Sequence, residues 1–256
     1  MKKVYDHPKY YEIAFSYRDI PAEVDTFEEC FKKYAKKPVE SILEIASGNS
    51  PHLAELLKRG YAYTGLDISQ PMLDHSSRKA AALNEVAEFV QGDMVDFTIN
   101  ETYDFAFIAL GSLNLRNAQE IFSHFRSIAR VLNDGGLYLL DWCVHFSPFS
   151  NREESWTMEQ GEIKVKTHWH ASLFSAPDQL VEETVTLEVV DNGTEYSFME
   201  TGIKRAIFPQ EFLQIIEQIN ELEFVGWWDN WDLCKPLGKV KYPEKINRPI
   251  ILLRKK

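Results

Sequence analysis

Between Ser41 and Trp142 the sequence alternates repeatedly between short apolar runs and longer amphipathic segments. The apolar runs have the length of buried strands, and the segments between them have the period of helices. Because each strand is followed by a helix, successive strands must lie parallel and be joined by right-handed crossovers. The predicted strands are residues 41–46, 61–67, 88–91, 104–110 and 137–142.

Local signals predict where two helices of this stretch begin or end. Ser50 before Pro51 predicts an N-cap with proline at the first helical position, and Gly60 predicts the end of the same helix. A second helix over residues 118–132 is predicted to stop at a turn formed by residues 133–136.

The flanking segments complete a single domain over residues 1–256. Residues 1–37 begin with an aromatic stretch that has no helical period, which we expect to act as a mobile lid. A helix that Pro21 opens follows this stretch. Residues 38–147 form the core that binds the ligand.

Residues 148–207 interrupt the α/β alternation. Apolar and polar residues alternate there, and the tripeptide at 191–193 is a hairpin signal, so a small antiparallel sheet is predicted. Residues 208–256 return to the earlier pattern and add two strands. The predicted fold is a Rossmann-like, seven-stranded, mostly parallel sheet. It carries an antiparallel β insertion after strand five and an N-terminal aromatic lid and helix.

Charge and cysteine content exclude several classes of function. Lys and Arg total 28 against 39 Asp and Glu, and the net charge of −11 disfavours a nucleic acid partner. The 3 cysteines are scattered, so neither a disulfide framework nor a zinc site is expected. The chain shows no signal peptide and no apolar stretch of about 18 residues. We therefore expect a cytoplasmic protein without a membrane partner.

Acidic residues accompany the first three predicted strands at their carboxyl ends. Glu44 precedes the loop after strand one, Asp67 ends strand two and Asp93 follows strand three. Ligands of an open parallel sheet bind beyond the carboxyl ends of its strands. The three acids therefore form one coherent candidate site.

Residues 41–143 resemble the core of the class I S-adenosylmethionine-dependent methyltransferases. The resemblance rests on these acids and on the phrases YTGLDISQPML, FVQGDM and ARVLNDGGLYLLD, which fall in family order. It implies that the cofactor is S-adenosyl-L-methionine, that Asp67 binds the ribose hydroxyls and that Asp93 faces the adenine amine. The layout around the core is similar to the small-molecule N-methyltransferase branch, which includes amino-sugar enzymes.

The loop after strand one departs from the family pattern. The family reads acid-x-Gly-x-Gly-x-Gly, and the corresponding residues here are Glu44, Ala46, Gly48 and Ser50. Small side chains still permit close approach of a cofactor, but only glycine adopts positive φ freely. We therefore expect a less tight loop, with reduced cofactor affinity or loss of activity as the consequence.

The resemblance implies further cofactor contacts from the lid and the loops. Arg18 is the candidate partner of the methionine carboxylate, and the rings of Tyr10, Tyr11 or Tyr17 are candidates to shelter the sulfonium. The remaining implied contacts are Ile68, Met72, Met94 and Leu110.

The acceptor is predicted to be a small molecule, with nitrogen favoured over oxygen as the methylated atom. Methyl transfer is an in-line displacement, and it needs a base only if the nucleophile arrives protonated. The weak candidates for a catalytic role are Tyr17, Asn114, His145, His168 and His170. No third ligand accompanies the last two at a recognisable spacing, so no metal site is predicted.

The insertion and the tryptophans leave alternatives open. All 6 tryptophans lie between residues 142 and 231, either as walls of an acceptor pocket or as core packing. The insertion is expected to shape that pocket or to pair with another chain, and not to bind the cofactor. Both a monomer and a homodimer are therefore compatible with the sequence.

Two other functions remain in view. A nicotinamide-dependent oxidoreductase on the same fold would carry GxGxxG after strand one, but Gly48 is the only glycine in that loop. A non-catalytic protein that senses the cofactor, or binds a partner through the insertion, is suggested by the glycine-poor loop.

Overall fold

The computed structural model describes residues 3–147, 151–239 and 246–256. Seven strands form one large sheet: β1 (Ser41–Ile45), β2 (Ala62–Asp67), β3 (Glu88–Gln91), β4 (Tyr103–Ile108), β5 (Leu132–Asp141), β10 (Leu222–Asp229) and β11 (Pro249–Lys255). Their order is β10-β11-β5-β4-β1-β2-β3. The first five strands pair in parallel, and β11 is antiparallel to both β5 and β10. This confirms the predicted seven-stranded, mostly parallel sheet.

The described residues form six α-helices: α1 (Pro8–Ala14), α2 (Ile20–Tyr34), α3 (Leu53–Lys58), α4 (Gln70–Ala82), α5 (Ala118–Val131) and α6 (Pro209–Glu217). Of these, α2 to α6 pack around the large sheet. Successive residues of a strand point to opposite faces, so the sheet has two apolar layers. Leu43 and Ile45 of β1 join the layer covered by α5 and α6, whereas Ile42 joins the layer covered by α2 and α3.

The helix after β1 begins later than the sequence predicts. Its N-cap is His52 and its first residue is Leu53, so the prediction that Ser50 caps it is wrong. Ser50 has φ +46°, whereas an N-cap residue requires an extended backbone. The side chain that does cap a neighbouring helix is Asp19, which accepts the amide hydrogen of Ala22 at 3.1 Å at the start of α2.

The end of α5 also differs from the prediction. The helix stops at Val131, and the supposed turn at residues 133–136 lies inside β5. Gly135 has φ +82° there, and the pairing of β5 with β4 shifts register between Tyr103 and Phe105. The glycine pair therefore makes an irregularity in a strand and does not make a connection.

The insertion forms a second, four-stranded antiparallel sheet. Its strands are β6 (Arg152–Gln160), β7 (Ile163–Ser175), β8 (Leu180–Asp191) and β9 (Thr194–Arg205), paired in sequence order. Asn192 and Gly193 join β8 to β9 with φ +49° and +79°. Positive φ at both central residues is the conformation that a two-residue hairpin favours. The predicted boundary between core and insertion falls at residues 148–150, outside the described residues.

The N-terminal segment is helical, although its sequence has no helical period. A 3₁₀ turn at Val4–Asp6 precedes α1, which is too short for a period to be recognised. Val4, Ile13 and Ala14 are buried against the insertion sheet, where they contact a cluster that contains Val165 and Phe198. The predicted lid is thus packed on the insertion.

Candidate active site

Three cavities adjoin one another at the carboxyl ends of the parallel strands. The strand-two cavity (about 390 Å³) is lined by Asp67, Ile68, Asp93 and Met94, among others. The loop cavity (about 210 Å³) is lined by residues of the lid and of the loop after β1. The aromatic cavity (about 640 Å³) lies between the core and the insertion. Ala46 lines the first two, and Phe15 and Leu110 line the last two.

The loop after β1 has a left-handed backbone at each of the three positions where the family pattern has glycine. Ala46, Gly48 and Ser50 have φ of +52°, +52° and +46°. A left-handed residue other than glycine costs about 1–2 kcal/mol. The left-handed backbone at Ala46 and Ser50 is therefore held against strain. The reduced cofactor affinity or activity that the sequence predicts for this loop stays a prediction.

Asp67 is held rigidly at the edge of the strand-two cavity. One carboxylate oxygen accepts the amide hydrogen of Gly48 at 2.8 Å, and the other accepts that of Ser69 at 2.8 Å. Burial raises the pKa of Asp67 above its usual value, whereas these two amide bonds act in the opposite direction. Each oxygen keeps a lone pair, so the fixed carboxylate can accept hydrogen bonds from a ligand diol.

The rest of the strand-two cavity suits a neutral, partly apolar nucleoside. Ile68 follows Asp67 directly, and its side chain is 66% exposed in the protein. A flat ligand would cover this exposed apolar surface. Asp93 is exposed beside it, and Gly48 offers an open approach because a Cβ there would meet no atom within 4 Å.

The loop cavity contains charges of both signs, as the amino-acid end of a cofactor requires. Arg18 and Lys79 supply the positive charges, and Glu12 and Glu44 supply the negative ones. Tyr11, Ala46, Gly48 and Leu110 also line it. A carboxylate and an ammonium on one ligand can therefore each find a partner of opposite charge.

Buried ion pairs fix Arg18 and Glu44. The guanidinium of Arg18 contacts the Glu23 carboxylate, with Nε at 3.1 Å from Oε1. His52 bridges the two acids, with Nε2 at 2.8 Å from Glu23 and Nδ1 at 3.3 Å from Glu44. The Tyr63 hydroxyl donates to Glu44 at 2.5 Å. Since this network is buried, each charged group depends on its partners for stabilisation.

The pKa shifts agree with a charged network. Hydrogen bonds and charges from His52 and Arg18 outweigh burial and hold the pKa of Glu23 well below its usual value of 4.5. Burial alone would lower the pKa of His52, but Glu44 and Glu23 raise it above 6.5. Sequence reasoning missed Glu23 and His52 because neither belongs to a recognisable motif, and only the fold brings α2 beside β1.

A second ion pair extends this network to the end of β5. Arg248 contacts Asp141 with Nε at 2.9 Å, and its NH1 lies 3.0 Å from Glu23. Asp141 is fully buried, and it also accepts a hydrogen bond from the Trp231 indole at 3.1 Å. The ends of β1 and β5 are therefore joined electrostatically beneath the loop cavity.

The aromatic cavity decides between the two interpretations of the tryptophans. Trp142, Trp156 and Trp169 line it, whereas Trp227, Trp228 and Trp231 pack within the core layers. Half of the tryptophans are therefore pocket walls and half are core residues. The polar residues of this cavity include Arg152, Glu154, Glu183, Lys204, His145 and Tyr17.

Two of the predicted catalytic candidates lie in the aromatic cavity. Burial lowers the pKa of His145 to about 4, and the positive charges of Lys204 and Arg152 act in the same direction. The imidazole is therefore neutral at pH 7. Tyr17 is 53% exposed, with its ring edge-on to Trp156 at 5.9 Å.

The remaining candidates lie elsewhere. Asn114 lines the strand-two cavity and not the aromatic cavity. His168 contacts Glu188 at 3.3 Å and, like the exposed His170, lies on the face of β7 opposite Trp169. Neither histidine faces the aromatic cavity, so the structure places neither of them near an acceptor.

Two implied cofactor contacts also lie away from the cavities. The Tyr10 hydroxyl donates to Asp191 at 2.9 Å, and its ring packs on Phe198 at 5.5 Å between lid and insertion. Met72 is 1% exposed and lines none of the three cavities. Both residues support the surrounding structure rather than the cavity walls.

Two negative findings apply to the described ranges. Within them, no group of three or more His, Cys, Asp or Glu side chains is arranged to hold a metal ion. No helix in the same ranges is long and apolar enough to cross a membrane.

Comparison with known proteins defines the class. Residues 42–136 match the family described as the methyltransferase domain. A Bacillus subtilis protein named as a methyltransferase, YqeM, is 27% identical over 172 residues, which are 66% of this chain and 68% of that protein. The dTDP-3-amino-3,4,6-trideoxy-alpha-D-glucopyranose N,N-dimethyltransferase of Streptomyces venezuelae is 25% identical over 53% of this chain and 56% of its own length.

A solved structure shares the fold over nearly the whole chain. It is an amino pentose methyltransferase from Micromonospora echinaspora with S-adenosylmethionine bound, and it superposes with a TM-score of 0.72 at 15% identity. The match covers 96% of both chains. Residues 42–136 therefore form a methyltransferase domain, and the chain as a whole has the fold of that S-adenosylmethionine-dependent methyltransferase. These similarities support S-adenosyl-L-methionine as the cofactor, and the nicotinamide alternative gains no support from them.

Proposed function

We propose that this protein methylates an amino nitrogen of a small molecule, of the amino-sugar class, held in the aromatic cavity. The observation that carries the proposal is the shared wall of the cavities. Phe15 and Leu110 line both the loop cavity and the aromatic cavity. An acceptor in the larger cavity would therefore meet the methionine end of a cofactor directly.

The residues of the two smaller cavities would hold the cofactor in one orientation. Asp67 would accept hydrogen bonds from the ribose hydroxyls, and Ile68 would lie against the base. Arg18 and Lys79 would bind the carboxylate, with Glu44 and Glu12 available to the ammonium. Bound in this way, the cofactor supplies an activated methyl group to a nucleophile aligned with its carbon–sulfur bond.

The aromatic cavity would align and shield the acceptor. The indole rings of Trp142, Trp156 and Trp169 exclude water and provide faces that attract a cationic amine. Glu154 lines the same cavity and would stabilise the positive charge that the amine nitrogen gains as it is methylated. The nucleophile is the neutral form of the amine, because an ammonium has no lone pair. Its nitrogen would bond to the methyl carbon as the carbon–sulfur bond breaks, which leaves a neutral thioether and a positive charge on nitrogen, and an N–H proton would then pass to solvent water. His145, neutral at pH 7, lines the same cavity and would accept a hydrogen bond from the amine N–H.

Nitrogen is favoured over oxygen for two reasons. A cavity with carboxylates and aromatic faces suits an amine better than a neutral alcohol. Two of the similar proteins are named for amino-sugar substrates. An oxygen acceptor would need a stronger base than an imidazole whose pKa is about 4.

The test is turnover of purified protein with S-adenosylmethionine and a panel of amino sugars, simple amines and their hydroxyl analogues. Mass spectrometry of the products should show methylated amines and unmodified alcohols. Trp169→Ala should lose turnover, whereas His168→Gln, on the opposite face of the same strand, should retain it. Tight cofactor binding without turnover on any amine would favour the non-catalytic sensor.

A further inference from the structure

The turn that ends β4 separates the loop cavity from the aromatic cavity. Leu110 lines both cavities, and Gly111 lines the aromatic cavity. Leu110 has φ +54° and Gly111 has φ +64°. The left-handed region is costly for leucine, by about 1–2 kcal/mol. Such strain persists only where surrounding groups determine the backbone conformation, and it concentrates at functional sites.

Three hydrogen bonds determine the conformation of this turn. The Asp141 carboxylate accepts the Leu110 amide hydrogen at 2.7 Å, and the Asp141 carbonyl accepts the Gly111 amide hydrogen at 2.9 Å. From the insertion side, Lys204 Nζ donates to the Gly111 carbonyl at 2.7 Å. Both amide donors of the turn and the Gly111 carbonyl are thus paired by residues from two different sheets.

Both partners of the turn are themselves fixed. Asp141 is fully buried and pairs with Arg248. Lys204, only 7% exposed, pairs with Glu183 at 2.8 Å on the neighbouring strand β8. Burying the Lys204 ammonium costs free energy, and its contacts with Glu183 and the Gly111 carbonyl offset that cost. These two contacts therefore fix the position of the ammonium.

We propose that Lys204 and Asp141 are positioning residues that clamp the Leu110–Gly111 turn as the partition between methyl donor and acceptor. The role in transfer rests on the proposed function, whereas the clamp itself is a property of the chain. Lys204 belongs to the insertion, so the insertion sets the backbone of the core at the point where the two ligands meet.

The clamp predicts a specific separation of kinetic effects. Lys204 lines the aromatic cavity and does not line the two cavities assigned to the cofactor. Loosening the turn should therefore lower kcat by about tenfold or more, while the Kd for S-adenosylmethionine changes by less than about threefold. A residue that merely stabilised the fold would not produce this split at a temperature where both proteins are folded.

The decisive measurement is amide hydrogen exchange at Leu110 and Gly111 in Lys204→Met, without any ligand. Loss of one clamp bond should speed exchange of these two amides by about fivefold to tenfold, with little change in β1 and β2. Lys164→Met is the matched control, because Lys164 is an exposed, ion-paired lysine of the same sheet. It should leave both amides unchanged.

A second variant keeps the test decisive if Lys204→Met folds poorly. Glu183→Gln removes the ion-pair partner and retains the lysine, and it should speed exchange of the same two amides to a smaller extent. Unchanged exchange of these amides in a folded variant overturns the clamp, whatever the acceptor is. Faster exchange without any wild-type turnover on amines would retain the clamp and overturn only the proposed function.

Discussion

At the residue scale, the loop after β1 has alanine and serine in a left-handed conformation that glycine would adopt without strain. Ala46 and Ser50 both have positive φ. Ala46→Gly should therefore raise the free energy of unfolding by about 0.5–1 kcal/mol, since strain relief of about 1–2 kcal/mol exceeds the extra chain entropy of glycine. Urea denaturation measures this. Gly48→Ala, at φ +52°, should show the opposite sign; equal stability of all three proteins would contradict the argument.

Asp67 gives the most direct test of the cofactor site. Its carboxylate is fixed by two backbone amides and lines the strand-two cavity. Asp67→Ala should weaken S-adenosylmethionine binding by about 1.5–3 kcal/mol, the range for hydrogen bonds to a charged group. Isothermal titration calorimetry gives the affinity. Asp67→Asn would place an amide NH2 against one of these backbone donors and should also lose affinity. Wild-type affinity in a folded Asp67→Ala protein would rule out the assignment.

Glu23 should make stability depend on pH in a predictable direction. Its pKa in the folded protein lies below the usual 4.5, so its contribution is present above about pH 4.5 and is lost as the pH falls further. Glu23→Gln should cost about 3–5 kcal/mol near pH 6, because it leaves the buried Arg18 without its carboxylate partner. That deficit should shrink below pH 4.5 in urea denaturation. A deficit independent of pH would show that the carboxylate is not charged in the folded protein.

At the element scale, α1 is fastened to α4 and to the cofactor loop. Glu12 contacts His75 at 2.8 Å and Lys79 at 2.6 Å, and Lys79 also donates to the Asn49 carbonyl at 2.8 Å. Glu12→Gln should weaken cofactor affinity by about twofold to fivefold, the range of a partly exposed ion pair. Glu29→Gln, which breaks an exposed pair with Lys33, is the control and should have no effect. Titration calorimetry distinguishes the two.

Strands and long helices could be predicted from the sequence because their periods extend over enough residues. The first four core strands and the hairpin at Asn192–Gly193 fall within about two residues of where the pattern places them, whereas β5 begins earlier, at Leu132. Short elements could not be predicted, because too few residues are present for a period to be recognised. The helix α1, with only seven residues, is an example.

The site could be predicted only in part. Asp67 is recognisable because its position at a strand end has a local signature. Glu23, His52 and Arg248 are not, because their roles arise from contacts between segments far apart in sequence. The same limit explains why His168 was wrongly placed near the acceptor. Which side of the insertion sheet faces the core cannot be read from the alternation of residues alone.

At the scale of the whole molecule, the insertion and the lid depend on each other. The Trp156 indole donates to the Ala14 carbonyl at 2.6 Å, and α1 packs on Val165, Leu187 and Phe198. The sequence suggested that replacing the insertion would spare cofactor binding. The structure predicts the opposite for a loop in place of residues 152–205, because the lid supplies Tyr11 and Arg18 to the loop cavity.

Titration of S-adenosylmethionine into that variant should show a reduced affinity. The reduction should be at least as large as in a second variant that lacks the residues before Pro21. The parallel sheet should remain folded by circular dichroism. Wild-type affinity in the folded variant would show that the lid closes without the insertion. The mass of the protein in solution would decide between a monomer and a homodimer, both of which the sequence permits. The cytoplasmic location stays a prediction.

The packing of α1 on the insertion has a consequence for how acceptor preference can diverge. The core contributes Trp142 and His145 to the aromatic cavity, and its other walls come from Phe15 and Tyr17 on one side and from β6 to β9 on the other. These walls form a discontinuous cassette, residues 3–17 together with 152–205, which is contiguous in space but not along the chain. A chimera that exchanges only the insertion would carry a mismatched lid. Transfer of substrate preference between such enzymes therefore requires grafting both pieces at once.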